Sequence, residues 1–332
     1  RCNIEISRER ESSEVRAETL QCRESDFNLL RCLALPTQPN RMAVSKKETA
    51  GWWRRWLAWL ICSGHMPQHV AFIMDGNRRF AKKTLLHKVV DGHRSGFSKL
   101  NEVLEWCLDL GIGFVSVYAF SIENFNRSVE EVCGLMDLAE EKFCEVTWNE
   151  DFLQKNEIRI RVAGDVAMLR PSLRKAIEGV CARTEHFNRA VLTVHLAYGA
   201  QHEIARSCRL FAELSLDKVD QSDTCESTSA HPTSDDKNDD NTQGQPAGSP
   251  SPSPSLSVDE TVDALTDLLY SGDAVPDPDL VVRTSGETRL SDFLLWQASS
   301  KAQLHFVPVL WPELRWSDLF WCLLRYQWRS SS

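Results

Sequence analysis

Six short runs rich in Val, Ile, Phe and Tyr recur along the chain, and stretches of helical period lie between them. The runs are HVAFIM (69–74), FVSVYAF (114–120), IRIRVAG (158–164), VLTVHLAY (191–198), DLVVRTS (279–285) and AQLHFVPV (302–309). The helical periods fall at about 93–110, 128–148, 170–188, 200–215, 258–270 and 316–328. Short buried strands alternating with helices predict an α/β fold: a central, mostly parallel six-stranded sheet flanked by helices. In open sheets of this kind, ligands sit beyond the carboxyl ends of the strands. The residues just after each run are therefore where chemistry is to be sought.

Three segments break the pattern. Residues 1–50 are polar and charged without lasting periodicity, and read as a disordered N-terminal extension. Residues 51–65, opening GWWRRWLAWLIC, read as an amphipathic Trp/Arg-rich helix. It is too short to span a bilayer. It suits either a membrane surface, with indoles at the boundary and guanidiniums toward phosphates, or packing on its own domain or a partner. Residues 217–257 form an acidic Ser/Pro-rich stretch that cannot bury a core, and read as a disordered insertion in a surface loop. DDKND (235–239) within it matches an acidic pattern that holds magnesium diphosphate on rigid helices, but this copy has no helix to stand on.

The insertion carries about −6 of the net charge of −9, so acidity says little about the folded remainder. No basic stripe interleaved with aromatics appears, which argues against nucleic-acid binding. No apolar run reaches the roughly 18 to 20 residues a membrane helix needs. Eleven scattered cysteines without a C-x-x-C pair point to buried free thiols in a reducing compartment rather than a disulfide framework. The sequence opens on Arg1, which leaves room for a preceding segment such as a signal peptide.

Three strand ends carry the chemistry. After 69–74 comes Asp75-Gly76-Asn77-Arg78-Arg79; after 114–120 comes SIENFNR, with Ser121, Glu123, Asn124 and Arg127; after 279–282 comes RTSGETRLS, with Arg283, Ser285, Gly286, Arg289 and Ser291. Arginine forks fit phosphate oxygens, and glycines let backbone N–H groups approach closely. A lone carboxylate among arginines can hold magnesium, which takes few protein ligands alongside water and phosphate oxygens. Any one arginine is ordinarily a surface ion pair, but this many at three strand ends point to two diphosphates. No G-x-S-x-G, Walker A, H-E-x-x-H or G-x-G-x-x-G motif occurs, and the nine histidines lack metal-ligand spacing. His93 in DGHRSGF is a site candidate that reads equally as a structural histidine at a helix start. The residues thus predict diphosphate chemistry by positioning and charge stabilisation.

HVAFIMDGNRRFAKK, GHRSGFSKL, VYAFSIENFNRS, VAGD, LAYGA and DLVVRTSGETRLSDFLLWQ…LWPEL together resemble the cis-prenyltransferase (undecaprenyl diphosphate synthase-like) family over about 66–328, the acidic insertion excepted. Asn77-Arg78-Arg79 looks like its eukaryotic, dehydrodolichyl diphosphate synthase branch. The resemblance implies an apolar tunnel beside the sheet. It implies condensation of isopentenyl diphosphate onto farnesyl diphosphate with Mg2+, each new double bond being cis, for dolichol synthesis and protein glycosylation. By similarity Asp75 holds the magnesium and assists diphosphate departure, and Gly76, Asn77, Arg78 and Arg79 line the allylic diphosphate site. Asn124 and Arg127 lie near the reacting centre, Arg127 contacting the allylic diphosphate, and Arg283, Arg289 and Ser291 bind isopentenyl diphosphate. Ser121 and His93 are further catalytic carry-overs. Tunnel depth is expected to depend on Leu135, Met136, Leu138 and Phe143.

Two departures stand out. The chain has no Arg-x-Gly after Trp311, and Ala302 stands where homodimeric members have a glutamate. Both resemble catalytic subunits that work with a Nogo-B receptor-like accessory subunit; a sequence that stops early is the other explanation. The spacing from Arg79 to His93 is one residue longer than usual, which puts contacts from Lys88 in question. The expected setting is the cytosolic face of the endoplasmic reticulum membrane. A non-catalytic scaffold subunit would lack Asp-Gly-Asn-x-Arg, and a phosphate-ester hydrolase with Asp75 as nucleophile would need a second acid or base, for which Glu123 is the candidate.

Overall fold

The computed structural model describes residues 51–85, 89–144, 150–223, 257–272 and 275–330. Residues 1–50, Lys88 and the 235–239 acidic motif lie outside the described residues. The chain divides into two units, 1–53 and 54–332, and the second carries the sheet and the site. One sheet of six parallel strands runs β1 (His69–Ile73), β2 (Phe114–Ser121), β3 (Ile158–Ala163), β4 (Ala190–Tyr198), β5 (Leu280–Arg283) and β6 (Gln303–Phe306), in the order β3-β4-β2-β1-β5-β6. The described helices are α1 (Gly51–Cys62), α2 (Asn77–Lys83), α3 (Val89–Asp109), α4 (Val129–Cys144), α5 (Glu150–Asn156), α6 (Pro171–Thr184), α7 (Ala200–Asp223), α8 (Val258–Asp267) and α9 (Trp316–Ser330).

β1 is buried along its whole length, which is why HVAFI shows no polar alternation. Its side chains still divide by face with period two. Val70 and Phe72 enter a core with Val103, Leu104 and Cys107 of α3 and Leu319 and Leu323 of α9. Ala71 and Ile73 enter the opposite core with Tyr198, Phe293 and Leu294. A side chain the size of Phe72, fully removed from water, contributes roughly 1.5–3 kcal/mol.

The strand order turns at β1. The chain builds outward through β2 on one side and later adds β5 on the other. In doubly wound sheets such a reversal opens a crevice at the carboxyl ends of the strands. The three motif loops follow β2, β1 and β5, three neighbours in the sheet, so they converge on that crevice.

Several local features differ from expectation. The seven-residue α2 and α5 carry too few apolar positions to show a period, and packing rather than propensity holds α2, through buried Ala81. α7 runs on to Asp223, six residues beyond the expected start of the disordered insertion at 217. All seven described cysteines are free as expected. Only Cys107 and Cys322 are buried, however, while Cys62, Cys133, Cys144 and Cys208 are exposed on helical faces. No described helix is long and apolar enough to cross a membrane.

α3 must approach α2 closely to close the site, and glycine allows it. A Cβ on Gly92 would lie 2.5 Å from the Asn77 carbonyl oxygen and 2.9 Å from the Ala81 methyl. Helix propensity alone favours Gly92→Ala by about 1 kcal/mol. The clash is with backbone, so overpacking wins, and the variant is expected to be destabilised by about 1–3 kcal/mol in urea unfolding. An unchanged or raised midpoint would show that α2 and α3 are not held this tightly.

Candidate active site

At the tip of β1 the chain turns through Asp75 into Gly76, whose φ of 106° is a left-handed conformation natural to glycine. A Cβ there would also meet Leu310 at 2.9 Å. α2 then starts at Asn77 and carries Arg78 and Arg79, both exposed. The Asp75 main chain is pinned from two sides: its carbonyl accepts from the Trp311 N–H at 3.0 Å and from the Thr284 hydroxyl at 2.7 Å.

The Asp75 carboxylate meets Arg283, the last residue of β5, at 2.9 Å. Arg283 is buried, with its side chain 5% exposed, and spends a second nitrogen on Ser291 Oγ at 2.7 Å and on the Arg289 carbonyl. Its remaining guanidinium nitrogen, Nε, is buried without a partner. Burial pushes the Asp75 carboxyl up, but hydrogen bonds from Arg283 and Ser285 and the Arg283 charge outweigh it, so the carboxyl is held below its ordinary range. Asp75 is therefore ionised at neutral pH. Arg79 lies 3.7 Å from the same carboxylate, and its Nη1 donates to the Ser285 carbonyl at 3.2 Å.

β2 delivers the third cluster. Its ladder with β4 shifts register around Ala119, between Tyr118 and Phe120 and again before Ser121. Such irregularities re-aim side chains beside active sites. The Ser121 N–H donates to Asn124 Oδ1 at 3.3 Å, which fixes the Asn124 amide at the start of the next turn. Arg127 pairs with Glu131 at 2.9 Å. His93, on the first turns of α3, is held at about 4 by burial first and then by the fields of Arg127 and Arg78, which outweigh Glu131. It is neutral at physiological pH, and its Nε2 is buried without a partner.

The loops enclose a cavity of about 980 Å³, lined by Asp75 through Arg79, His93, Ser121, Glu123, Asn124, Arg127, Arg283, Arg289 and Ser291; of the strand-end residues singled out in the sequence, Ser285 and Gly286 are not in the lining. The same cavity is lined by apolar side chains of α3 (Phe97, Leu100), α4 (Leu135, Met136, Leu138, Phe143) and the sheet (Val117, Leu196). Five arginines thus share a space with an apolar wall, with the ionised Asp75 at the strand tip and Glu123, Glu131 and Glu287 also in the lining. The charged side chains in contact with Asp75 are guanidiniums, an arrangement that holds an anion or a metal-bound anion rather than activating a carboxylate nucleophile.

A family model described as putative undecaprenyl diphosphate synthase matches residues 73–332. The chain belongs to this family. It is 41% identical to the dehydrodolichyl diphosphate synthase complex subunit DHDDS of Homo sapiens over 86% of this chain and 74% of that protein. It is 36% identical to a tritrans,polycis-undecaprenyl-diphosphate synthase (geranylgeranyl-diphosphate specific) of Methanopyrus kandleri, over 86% of this chain and 90% of that one. Among solved structures, lavandulyl diphosphate synthase from Lavandula x intermedia, in complex with dimethylallyl diphosphate, shares the fold with a TM-score of 0.62. That likeness covers 79% of this chain and 95% of that one at 24% identity.

For a member of the undecaprenyl diphosphate synthase family, the site holds more than the sequence motifs announced. Thr284 fixes the β1 tip, Glu287 stands between two arginines, and Glu131 neutralises Arg127. Thr284 and Glu287 sit inside RTSGETRLS, and Glu131 is four residues from Arg127, a helical pairing distance. Trp311 donates from its indole to the Gly96 carbonyl at 2.7 Å and so ties α3 to the segment after β6.

The depressed His93 pKa has a stability consequence. Below about 6.5 the unfolded chain takes up a proton that the folded His93 refuses until about 4, so stability falls with acidification across that window. The contribution is about 1.4 kcal/mol per pH unit. Urea titrations between pH 7 and 4.5 are expected to show a shallower slope for His93→Gln. Parallel slopes would mean that His93 protonates freely in the folded state.

Proposed function

We propose that this chain is a cis-prenyl chain elongase that condenses isopentenyl diphosphate onto farnesyl diphosphate, building the long polyprenyl diphosphate from which dolichol is made. The observation that carries the proposal is the single cavity joining five arginines and an ionised Asp75 to an apolar wall. Diphosphates need the first and a growing isoprenoid needs the second. Family membership and the names of the relatives support the reaction class.

Asp75, Asn77, Arg78, Arg79 and Arg127 are assigned to the allylic diphosphate, and Arg283, Arg289 and Ser291 to isopentenyl diphosphate. In the reaction the bond from the allylic carbon to its diphosphate oxygen breaks, the isopentenyl double bond attacks that carbon, and a proton leaves the new chain. The arginines stabilise the departing charge in place before it develops. Arg283 keeps Asp75 ionised and aimed into the cavity. Neutral His93, Ser121 and Asn124 offer polar atoms beside the reacting carbons. The apolar lining accepts the chain and keeps water from the allylic centre.

The ionised carboxylate of Asp75 at the strand tip fits magnesium, which needs few protein ligands when phosphate oxygens supply others. It does not fit an all-protein cage, and among the described residues no cluster of three ligating side chains occurs. Asp75 is the residue that would hold Mg2+, and the ion would supply charge neutralisation of the leaving diphosphate.

Two relatives, from Homo sapiens and Schizosaccharomyces pombe, are named as subunits of a dehydrodolichyl diphosphate synthase complex. With Ala302 where homodimeric members carry a glutamate, this supports a Nogo-B receptor-like accessory subunit as partner. The α1 helix has formed, with Trp59 and Leu60 exposed, which supports peripheral contact with the endoplasmic reticulum membrane.

The test is incorporation of labelled isopentenyl diphosphate onto farnesyl diphosphate in Mg2+, with and without an accessory subunit and anionic vesicles. Wild type is expected to elongate, most strongly with both additions. Asp75→Ala leaves the buried Arg283 without its counter-ion and is expected to be destabilised; its folded fraction, checked by circular dichroism, is expected to lose more than about a hundredfold in turnover. An Asp75→Ala rate near wild type would refute the assigned centre.

A further inference from the structure

Two of the strand-tip arginines already have carboxylate partners. Arg79, which donates to Ser285 and lies 3.7 Å from Asp75, also has its Nη2 3.8 Å from Glu287 Oε1, and Arg289 Nη1 lies 2.5 Å from Glu287 Oε2. Glu287 thus stands between an arginine supplied after β1 and one supplied after β5, with one carboxylate oxygen toward each. Arg79 is assigned to the allylic diphosphate and Arg289 to isopentenyl diphosphate, and the role of Glu287 rests on that assignment. We propose that Glu287 is a displaceable internal counter-ion. Its carboxylate neutralises Arg79 and Arg289 while the site is empty and swings aside when a diphosphate takes the same guanidiniums.

The contrast with Glu131 shows why Glu287 suits this role. Glu131 also pairs with a cavity arginine, but it is on the first turn of α4 with its side chain only 17% exposed. Glu287 is on a loop and its side chain is 34% exposed. It follows Ser285 and Gly286, with φ of 78° and 79°, whose N–H groups donate to the Val309 and Val307 carbonyls. The turn is anchored to the segment after β6, so the movement needed is rotation of one side chain beyond a fixed backbone. Ion pairs of exposed arginines are individually weak, whereas a diphosphate brings more charge and more oxygens to the same forks. The ligand therefore displaces the carboxylate. The returning carboxylate then favours release of the diphosphate after each addition.

Calorimetric titration of inorganic pyrophosphate, with and without Mg2+, tests this on wild type, Glu287→Gln and Glu287→Ala. Both variants are expected to bind pyrophosphate about fivefold more tightly than wild type in both conditions, because two weak competing ion pairs are gone. In turnover both are expected to show KM and kcat falling together, as substrate binding and product release tighten alike. Equal or weaker pyrophosphate binding without metal overturns the counter-ion role. Weaker binding only with Mg2+ also overturns it, and makes Glu287 a group on the metal side. If wild type binds no pyrophosphate at all, the diphosphate reading fails and the counter-ion falls with it.

Discussion

A buried guanidinium at the end of β5 holds this structure's site together. Arg283 is taken out of water at a cost that only pairing offsets, and its pairing is with Asp75 at the tip of the neighbouring strand. The pair locks two loops into one geometry, and Thr284 reinforces it by bonding the Asp75 carbonyl. Removing either partner would strand the other as an uncompensated charge. The same contact keeps Asp75 ionised, so the interaction that shapes the sheet edge also sets the charge state of the central carboxylate.

From that pair the rest of the site is built in layers. Ser291 is held on the opposite side of Arg283, Arg79 lies within ion-pair range of Asp75, and the register shift at Ala119 brings Ser121 and Asn124 to the same rim. α2 is seated by its close approach to α3, where Gly92 and Gly96 leave room for Asn77. α3 and α4 then supply the apolar wall. Charge is gathered at the strand tips and hydrocarbon against the helices, which is the division an amphiphilic prenyl diphosphate requires.

Much of this was legible in the sequence, for physical reasons. β1 could be read because both of its faces are buried and HVAFI has no polar interruption. The site could be located because parallel sheets put their ligands beyond strand ends, and three polar clusters stood there. The Asp75–Arg283 contact could not be read, since the two residues are 208 positions apart and only the order β2-β1-β5 makes them neighbours. Glu287 was in plain view in its motif and Glu131 lay three residues past the end of another, yet their pairing depends on side-chain direction. α2 has too few apolar residues to announce itself, and the half-buried state of His93 depends on how the β1 and β2 loops and α4 meet α3.

The central claim is that the tips of β1 and β5 hold two diphosphates side by side around Asp75. It is tested most directly by a crystal structure with Mg2+, isopentenyl diphosphate and an unreactive thio analogue of farnesyl diphosphate. The account predicts two diphosphate groups at these strand tips, one on Arg78, Arg79 and Arg127 and the other on Arg283, Arg289 and Ser291. Asp75 is expected to face the allylic one, and the farnesyl tail to lie along Phe97 and Leu135. A single diphosphate, or a tail directed away from α3 and α4, would contradict it.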